Sequence, residues 1–310
     1  MVNFRMGHMT IDKIPELESV YMPLSFALPD IEGEDVRRLR EWYWDEGMNE
    51  DLSLAKIHMP FQSYVLRVNG KNILIDSCNG NHKTRELPFC NRLDTPYLAR
   101  LQEVGLSPRD IDLVLCTHLH FDHVGWNTQL ADGKWVPTFP NARYLFTRTD
   151  YEFFESRYSD TLNRAAFEDS ILPVVEHGLA DLVETDHVIE HELGSGVWLQ
   201  GAPGHTPGSC IVHAQCDDHK VIFSGDVFHH PLELVRPETR FFGDHDSPLA
   251  GRTRSELFEK YADSSTVFFP AHFSGVSGGR VCRHKGAYRY EYLDVPRPSW
   301  QSTAVAAHRR

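Results

Sequence analysis

Three histidines and an aspartate fall within six residues of this chain, at His118, His120, Asp122 and His123. Imidazole nitrogens and a carboxylate at this density are the material of a metal site. Residues two apart in extended chain point the same way, so His118 and His120 can grip one ion. A turn after them lets Asp122 and His123 face a second position, and Gly125 lets the backbone bend closely there.

Further ligands stand far down the chain. His205 lies in the tight loop Gly204-His205-Thr206-Pro207-Gly208, Asp226 closes the run Phe223-Ser224-Gly225, and His272 follows Phe268-Phe269-Pro270-Ala271. A single His or Asp behind a strand is ordinarily a hydrogen-bonded structural residue; jointly these three supply what the first cluster lacks. Two ions about 3.5–4 Å apart need several nitrogen ligands and an oxygen able to bridge. His118, His120 and His205 can hold the first, Asp122, His123 and His272 the second, and Asp226 can bridge. Donors without thiolate suit zinc, and they also accept iron, manganese or cobalt. A water shared by two cations becomes acidic enough to furnish hydroxide near neutral pH, which points to hydrolysis.

The elements around these residues are legible as strands that end on ligands. Asp112 to Cys116 reads as a buried strand feeding the first cluster. Asn69-Gly70 between the apolar runs 58–68 and 71–76 predicts a hairpin. Thr95 as N-cap and Pro96 in the first turn predict a helix start, with Leu98, Leu101 and Val104 as its apolar face and Gly105 at its end. A strand is expected over Phe4 to Ile14 and a helix from Asp150 to about Ile171. Further strands are expected at Val197–Ala202, Cys210–Ala214, Val221–Phe223 and Thr266–Phe269, and Thr253 to Glu256 has the form of a capping box opening a helix. The aromatic residues Tyr21, Phe26, Trp42, Tyr43 and Trp44 mark an N-terminal arm over about 1–50, read as lid, dimer contact or core.

Composition narrows the partners. Lys and Arg number 31 against 44 Asp and Glu, a net charge of −13 that disfavours nucleic acid and anionic membrane surfaces. The partner expected is a small-molecule substrate, with a homodimer allowed by the aromatic arm. Six cysteines without a C-x-x-C pair suggest neither a zinc ribbon nor a disulfide framework. With no signal-like or bilayer-length apolar run, the expected compartment is the cytoplasm. No low-complexity linker divides the chain, so one domain over 1–296 is expected, and the polar segment 297–310 is expected to be disordered.

The chain resembles the metallo-β-lactamase superfamily. The H-x-H-x-D-H motif stands as His118 to His123, followed in order by G-H-T-P-G at His205, G-D at Asp226 and P-A-H at His272. The resemblance runs from about His58 to Arg289 and implies an α/β fold, the four-layer αβ/βα sandwich with metals at one edge. Zinc β-lactamases with a thiolate ligand carry Cys where Asp226 stands, and flavin-linked di-iron reductases carry Glu where His120 stands. The arm and the segment Asp226 to Pro231 are similar to the branch of acyl-homoserine lactonases and methyl parathion hydrolase-like enzymes. That branch commonly has Tyr where His229 stands, to steady a carbonyl oxygen.

The resemblance implies a dinuclear hydrolase opening a lactone or cleaving a neutral, hydrophobic ester. Phosphotriester hydrolysis or hydrolytic dehalogenation is the alternative on the same ligands. A mononuclear iron oxygenase and a non-catalytic binding module stand behind these. Asp122 is the candidate proton carrier, His229 and His230 candidate oxyanion donors, Asp76 a candidate orienter of a ligand histidine, and Phe121, Trp126 and Phe273 candidate substrate contacts.

Overall fold

Alternation of side-chain direction builds the molecule. In Phe61–Val68, Tyr64 and Leu66 face one side and Val65 the other; in Lys71–Ile75, Ile73 and Ile75 oppose Leu74. Strands apolar on both faces must be covered twice. A computed structural model of the chain describes residues 2–156, 161–192 and 195–294 and shows how this is met.

Two seven-stranded sheets stand among the described residues. The first runs in the order Asn3–Met6, Met9–Leu17, Phe61–Val68, Lys71–Ile75, Leu113–Leu115, Arg143–Thr147, Ala180–Val183, and its last four strands are parallel. The second runs Val188–Glu192, Ser195–Gly201, Cys210–Cys216, His219–Gly225, Val267–Pro270, Gly279–His284, Ala287–Tyr292. It is antiparallel apart from the pairing of His219–Gly225 with Val267–Pro270.

The facing sides of the sheets bury Ile11, Tyr64, Leu66 and Ile73 against Val197, Val212, Phe223 and Phe269. The outer face of the first sheet is covered through Tyr97 and Leu101 of Tyr97–Glu103, Phe154 of Arg148–Glu155 and Ile171. Leu257 and Phe258 of Ser247–Tyr261 cover the outer face of the second. This is the four-layer αβ/βα sandwich that the motifs implied.

Local differences have local causes. The Asn69-Gly70 hairpin forms with φ of 50° and 72° at its two turn residues, the geometry a two-residue turn requires. The strand expected over Phe4 to Ile14 is instead a hairpin, Asn3–Met6 and Met9–Leu17, because Gly7 takes φ 61° and reverses the chain. The helix expected over 150–171 is broken into Arg148–Glu155, Thr161–Ala166, a π-helical turn Phe167–Ile171 and Leu172–Glu176.

Thr253 to Glu256 do not open a helix. They lie inside Ser247–Tyr261, whose N-cap is Asp246, and the Thr253 hydroxyl donates to Pro203 O. Pro96, not Thr95, caps Tyr97–Glu103, since Thr95 is engaged by Asn81 and Glu16. Gly279–His284 and Ala287–Tyr292 escaped notice, their apolar alternation being diluted by Arg280, Arg283 and Arg289. The tail expected to be disordered lies outside the described residues.

The residues expected to form an arm divide in two. Asn3–Leu17 belongs to the first sheet, whereas Val20, Met22, Leu24, Leu28, Val36 and Leu39 pack onto Leu232, Val235 and Phe241. Phe26 and Trp44 are exposed. No described helix is long and apolar enough to cross a membrane.

Candidate metal centre

The seven ligand candidates come from strand ends at one rim of the two sheets. Leu113–Leu115 runs out into the loop holding His118 and His120, and the short helix Phe121–Val124 carries Asp122 and His123. His205 lies between Ser195–Gly201 and Cys210–Cys216, Asp226 directly follows His219–Gly225, and His272 follows Val267–Pro270. Two glycines permit the approach. A side chain at Gly125 would meet the backbone of Asn79 at 1.9 Å, and one at Gly225, φ 48°, would meet the Thr117 hydroxyl at 2.5 Å.

Two groups of donors converge on Asp226. His120 Nδ1 lies 3.1 Å from His118 Nε2 and 2.9 Å from His205 Nε2. Asp226 Oδ2 faces this trio, 3.4 Å from His205 Nε2 and 3.8 Å from His118 Nε2. Asp226 Oδ1 turns the other way, 3.2 Å from His123 Nε2 and 3.1 Å from His272 Nε2. Asp122 Oδ2 closes that second group at 3.8 Å and 3.7 Å from the same two nitrogens. One carboxylate thus presents an oxygen to each of two nitrogen-rich positions.

The far side of four of the five rings is tied down. His118 Nδ1 is 3.2 Å from Thr117 Oγ1, His123 Nδ1 2.9 Å from Asp76 Oδ2, His205 Nδ1 3.1 Å from Asp244 Oδ1 and His272 Nδ1 2.9 Å from Pro60 O. Such outer partners set the tautomer and aim the other nitrogen inward. Asp76 stands where the resemblance expected an orienting carboxylate; Thr117, Asp244 and the Pro60 carbonyl were not foreseen.

The donor set fits divalent cations. His123 Nε2, His272 Nε2 and Asp226 Oδ1 are buried without a hydrogen-bond partner, a costly arrangement unless something bound between them satisfies it. Burial, then the neighbouring imidazoles, drives His118 and His120 well below the usual histidine range, so their lone pairs are free. Burial works against charge on His123 and Asp226 too, but is outweighed there. The carboxylates of Asp226, Asp76 and Asp122 hold His123 well above its ordinary value, and His123, His272 and His229 hold Asp226 well below. Cations at these positions would take over the neutralising role of protons.

The remaining candidates separate. His229 reaches the cluster: its Nε2 is 3.3 Å from Asp226 Oδ2, and its ring stacks on Phe241 at 3.5 Å. Burial opposes its charge, yet Glu233 and Asp226 lift its pKa to about 9. His230, though fully buried, faces Asp45 at 3.8 Å and the edge of Tyr43 instead.

A cavity of about 270 Å³ opens over the cluster, and His120, Asp122, His205 and Asp226 line its floor. Phe121 lines it with Phe61, Phe89, Phe153, Phe154, Phe241 and Phe242, and Met22 adds a contact from the N-terminal segment. No Lys or Arg is among the described residues lining it. Trp126 and Phe273 do not line it. Trp126 stacks on Tyr97 at 5.2 Å and donates to Glu16 at 2.6 Å; Phe273 packs between Phe228 and Tyr290. The consecutive pair Phe241-Phe242 in a Gly- and Asp-containing loop was the sequence signal for the missed wall.

Both fold and site define a metal-dependent hydrolase. The chain belongs to the metallo-β-lactamase superfamily, which it matches over residues 62–272. It is 32% identical to the N-acyl homoserine lactonase AiiB of Agrobacterium fabrum over 236 residues, 70% of this chain and 80% of that protein. It is 25% identical to an N-acyl homoserine lactonase of Bacillus cereus over 228 residues, 70% of this chain and 82% of the other. Matches to Bacillus thuringiensis lactonases are 32% identical but span 60% of those proteins and 56% of this chain. Among solved structures, the hydrolase AbOPH superposes with a TM-score of 0.78 at 21% identity, covering 95% of this chain and 98% of that one. The dizinc quorum-quenching lactonase AidC, in complex with N-hexanoyl-homoserine product, does so with 0.75 at 18%, covering 95% and 97%. These two likenesses show the fold.

Proposed function

We propose that the protein opens lactones and cleaves related neutral, hydrophobic esters, N-acyl homoserine lactones first among them. His118, His120 and His205 would hold one divalent ion and Asp122, His123 and His272 a second, with Asp226 shared and zinc the preferred metal for donors of this kind. Such a pair supplies an acidified water as nucleophile and polarises the electrophilic oxygen. The reading rests on one observation: Asp226 turns one oxygen to each donor group on the floor of a cavity walled largely by phenylalanines, with no Lys or Arg among the described residues lining it.

The chain's own residues do the rest. The phenylalanine walls bind an uncharged acyl tail and exclude water. A substrate with a free carboxylate would find no cationic partner on them. Asp122, at the cavity floor, is placed to pass a proton to the leaving oxygen. His229 does not itself line the cavity, but its Nε2 lies 3.3 Å from Asp226 Oδ2 on the floor, and an N–H there would donate to the oxygen that gains charge, the task a tyrosine performs in the lactonase branch. Facing aromatic walls would equally accept an aryl leaving group, which makes aryl phosphotriesters the second class to assay.

Proton release by the zinc-loaded protein given N-hexanoyl-homoserine lactone, with metal-stripped protein as control, tests the reading. Acid production that needs metal is expected. Its absence with zinc confirmed bound, while an aryl phosphotriester is hydrolysed, would transfer the site to the second class.

A further inference from the structure

Two fully buried charges, Glu233 and Arg254, have no part in binding metal and none in the roles assigned so far. They form an ion pair at 2.9 Å. Glu233 Oε2 also accepts the backbone N–H groups of His229 and His230, and Oε1 lies 3.3 Å from His229 Nδ1. Arg254 Nε donates to Val227 O at 2.7 Å, and its Nη1 to Pro237 O and Thr239 O at 2.7 Å and 2.9 Å. The carboxylate is therefore held from several directions and cannot turn without breaking contacts on both sides. A buried ion pair is poor value as a stabiliser, because desolvation offsets most of its attraction. Its placement behind a histidine that reaches the cluster gives it another use.

An ionised carboxylate only accepts hydrogen bonds, so the hydrogen on His229 Nδ1 is drawn towards Glu233. His229 Nε2 is then the nitrogen left facing Asp226, and it is buried with no hydrogen-bond partner. Phe241, stacked on the ring at an interplanar angle of 16°, restricts its rotation. We infer that Glu233, anchored by Arg254, is a positioning residue that accepts from His229 Nδ1–H and so aims the ring's other N–H, on Nε2, into the metal cluster. The inference rests on the reading of His229 as the group facing the substrate oxygen. A purely structural Glu233, serving only the turn at Leu232–Val235, would leave the state of the His229 ring unspecified.

Long-range ¹⁵N–¹H spectra of the zinc-loaded full chain separate the two, with His229 assigned by the signal lost in His229→Gln. The wild type is expected to show a proton on each ring nitrogen. Glu233→Gln keeps the volume and one acceptor but offers an amide donor, and it should convert His229 to the form protonated on Nε2 alone. For the best substrate found, kcat should fall about 10–100-fold and KM stay within about threefold, with zinc content unchanged. Added to His229→Gln, the same substitution should cost nothing more, since it acts through that ring.

A wild-type His229 with either ring nitrogen bare overturns the inference. So does an equal loss from Glu233→Gln with and without His229. Should Glu233→Gln fail to fold, the wild-type spectrum decides alone. If no substrate is turned over, the proposed function falls while the spectra still judge the positioning.

Discussion

Asp76 Oδ2 lies 2.9 Å from Nδ1 of His123, across 47 residues of sequence. The same carboxylate accepts from Thr117 through both its backbone N–H and its hydroxyl, and that hydroxyl is 3.2 Å from His118 Nδ1. One side chain thereby orients a histidine from each of the two donor groups. Asp76 has φ 56°, a conformation Asn tolerates. Asp76→Asn should fold normally and lose zinc about 10–100-fold more readily to a chelator. Unchanged retention in a competition titration would remove Asp76 from the metal centre.

Asp226 is the one group that both donor sets share. Asp226→Asn halves its acceptor capacity and removes its charge, so metal content and hydrolysis should fall together, the rate by about 10²-fold or more. Elemental analysis beside initial rates checks this; full turnover with one ion lost would end the bridging assignment.

Trp126 provides the opposite case. Its indole N–H donates to the buried Glu16, which also gathers the N–H groups of Asn79 and Gly80. Trp126→Phe should cost about 1–3 kcal/mol of stability by withdrawing one donor from a buried carboxylate. With the cavity untouched, KM should hold. A denaturant titration read against substrate kinetics tests both halves, and a raised KM with intact stability would return Trp126 to the substrate wall.

Those two residue types show what a sequence discloses here. The candidate ligands were legible because four of them crowd into six residues behind the apolar strand Leu113–Leu115, while Asp226 and His272 closely follow apolar strands of their own. Their orienters were not, since Asp244 meets His205 across 39 residues and the Pro60 carbonyl meets His272 across 212. Adjacency misled for the aromatics. Phe273 directly follows His272, but neighbouring side chains diverge, and it turns into the core against Tyr290. The long strands followed from two-residue alternation, whereas Gly7 and the π-helical turn at Phe167–Ile171 interrupt patterns that otherwise look continuous.

Phe89 stacks on Phe61 at 5.6 Å, and Phe61 in turn meets the His272 ring edge-on at 4.9 Å. Phe89→Ala should therefore weaken binding of the acyl tail while sparing the chemistry. A phenyl contact worth about 1–2 kcal/mol predicts KM raised about 5–30-fold for decanoyl substrates, less for butanoyl ones, with kcat nearly constant. Equal effects on every tail length would place Phe89 outside the substrate path.

Lys83 sets a pH dependence away from the metals. Burial lowers its pKa to about 7, with Arg85 adding to the shift and Asp169 opposing it. Between that value and 10.5 the unfolded chain holds a proton that the folded one has released, so this group makes stability rise with pH. Relative to Lys83→Met, the wild type should gain between pH 7 and 9, by at most about 1.4 kcal/mol per unit. Denaturation midpoints at both pH values check it; a flat difference would show that the ammonium stays charged.

The candidate metal centre is divided between the two sheets. His118, His120, Asp122 and His123 follow a strand of the first, whereas His205, Asp226 and His272 are delivered by the second. During synthesis the first four emerge early and can offer an ion only a partial grip, and the last donor arrives after residue 270. Both sheets must therefore be in place before the seven candidate donors can meet, so a chain stopping short of His272 would lack at least one of them.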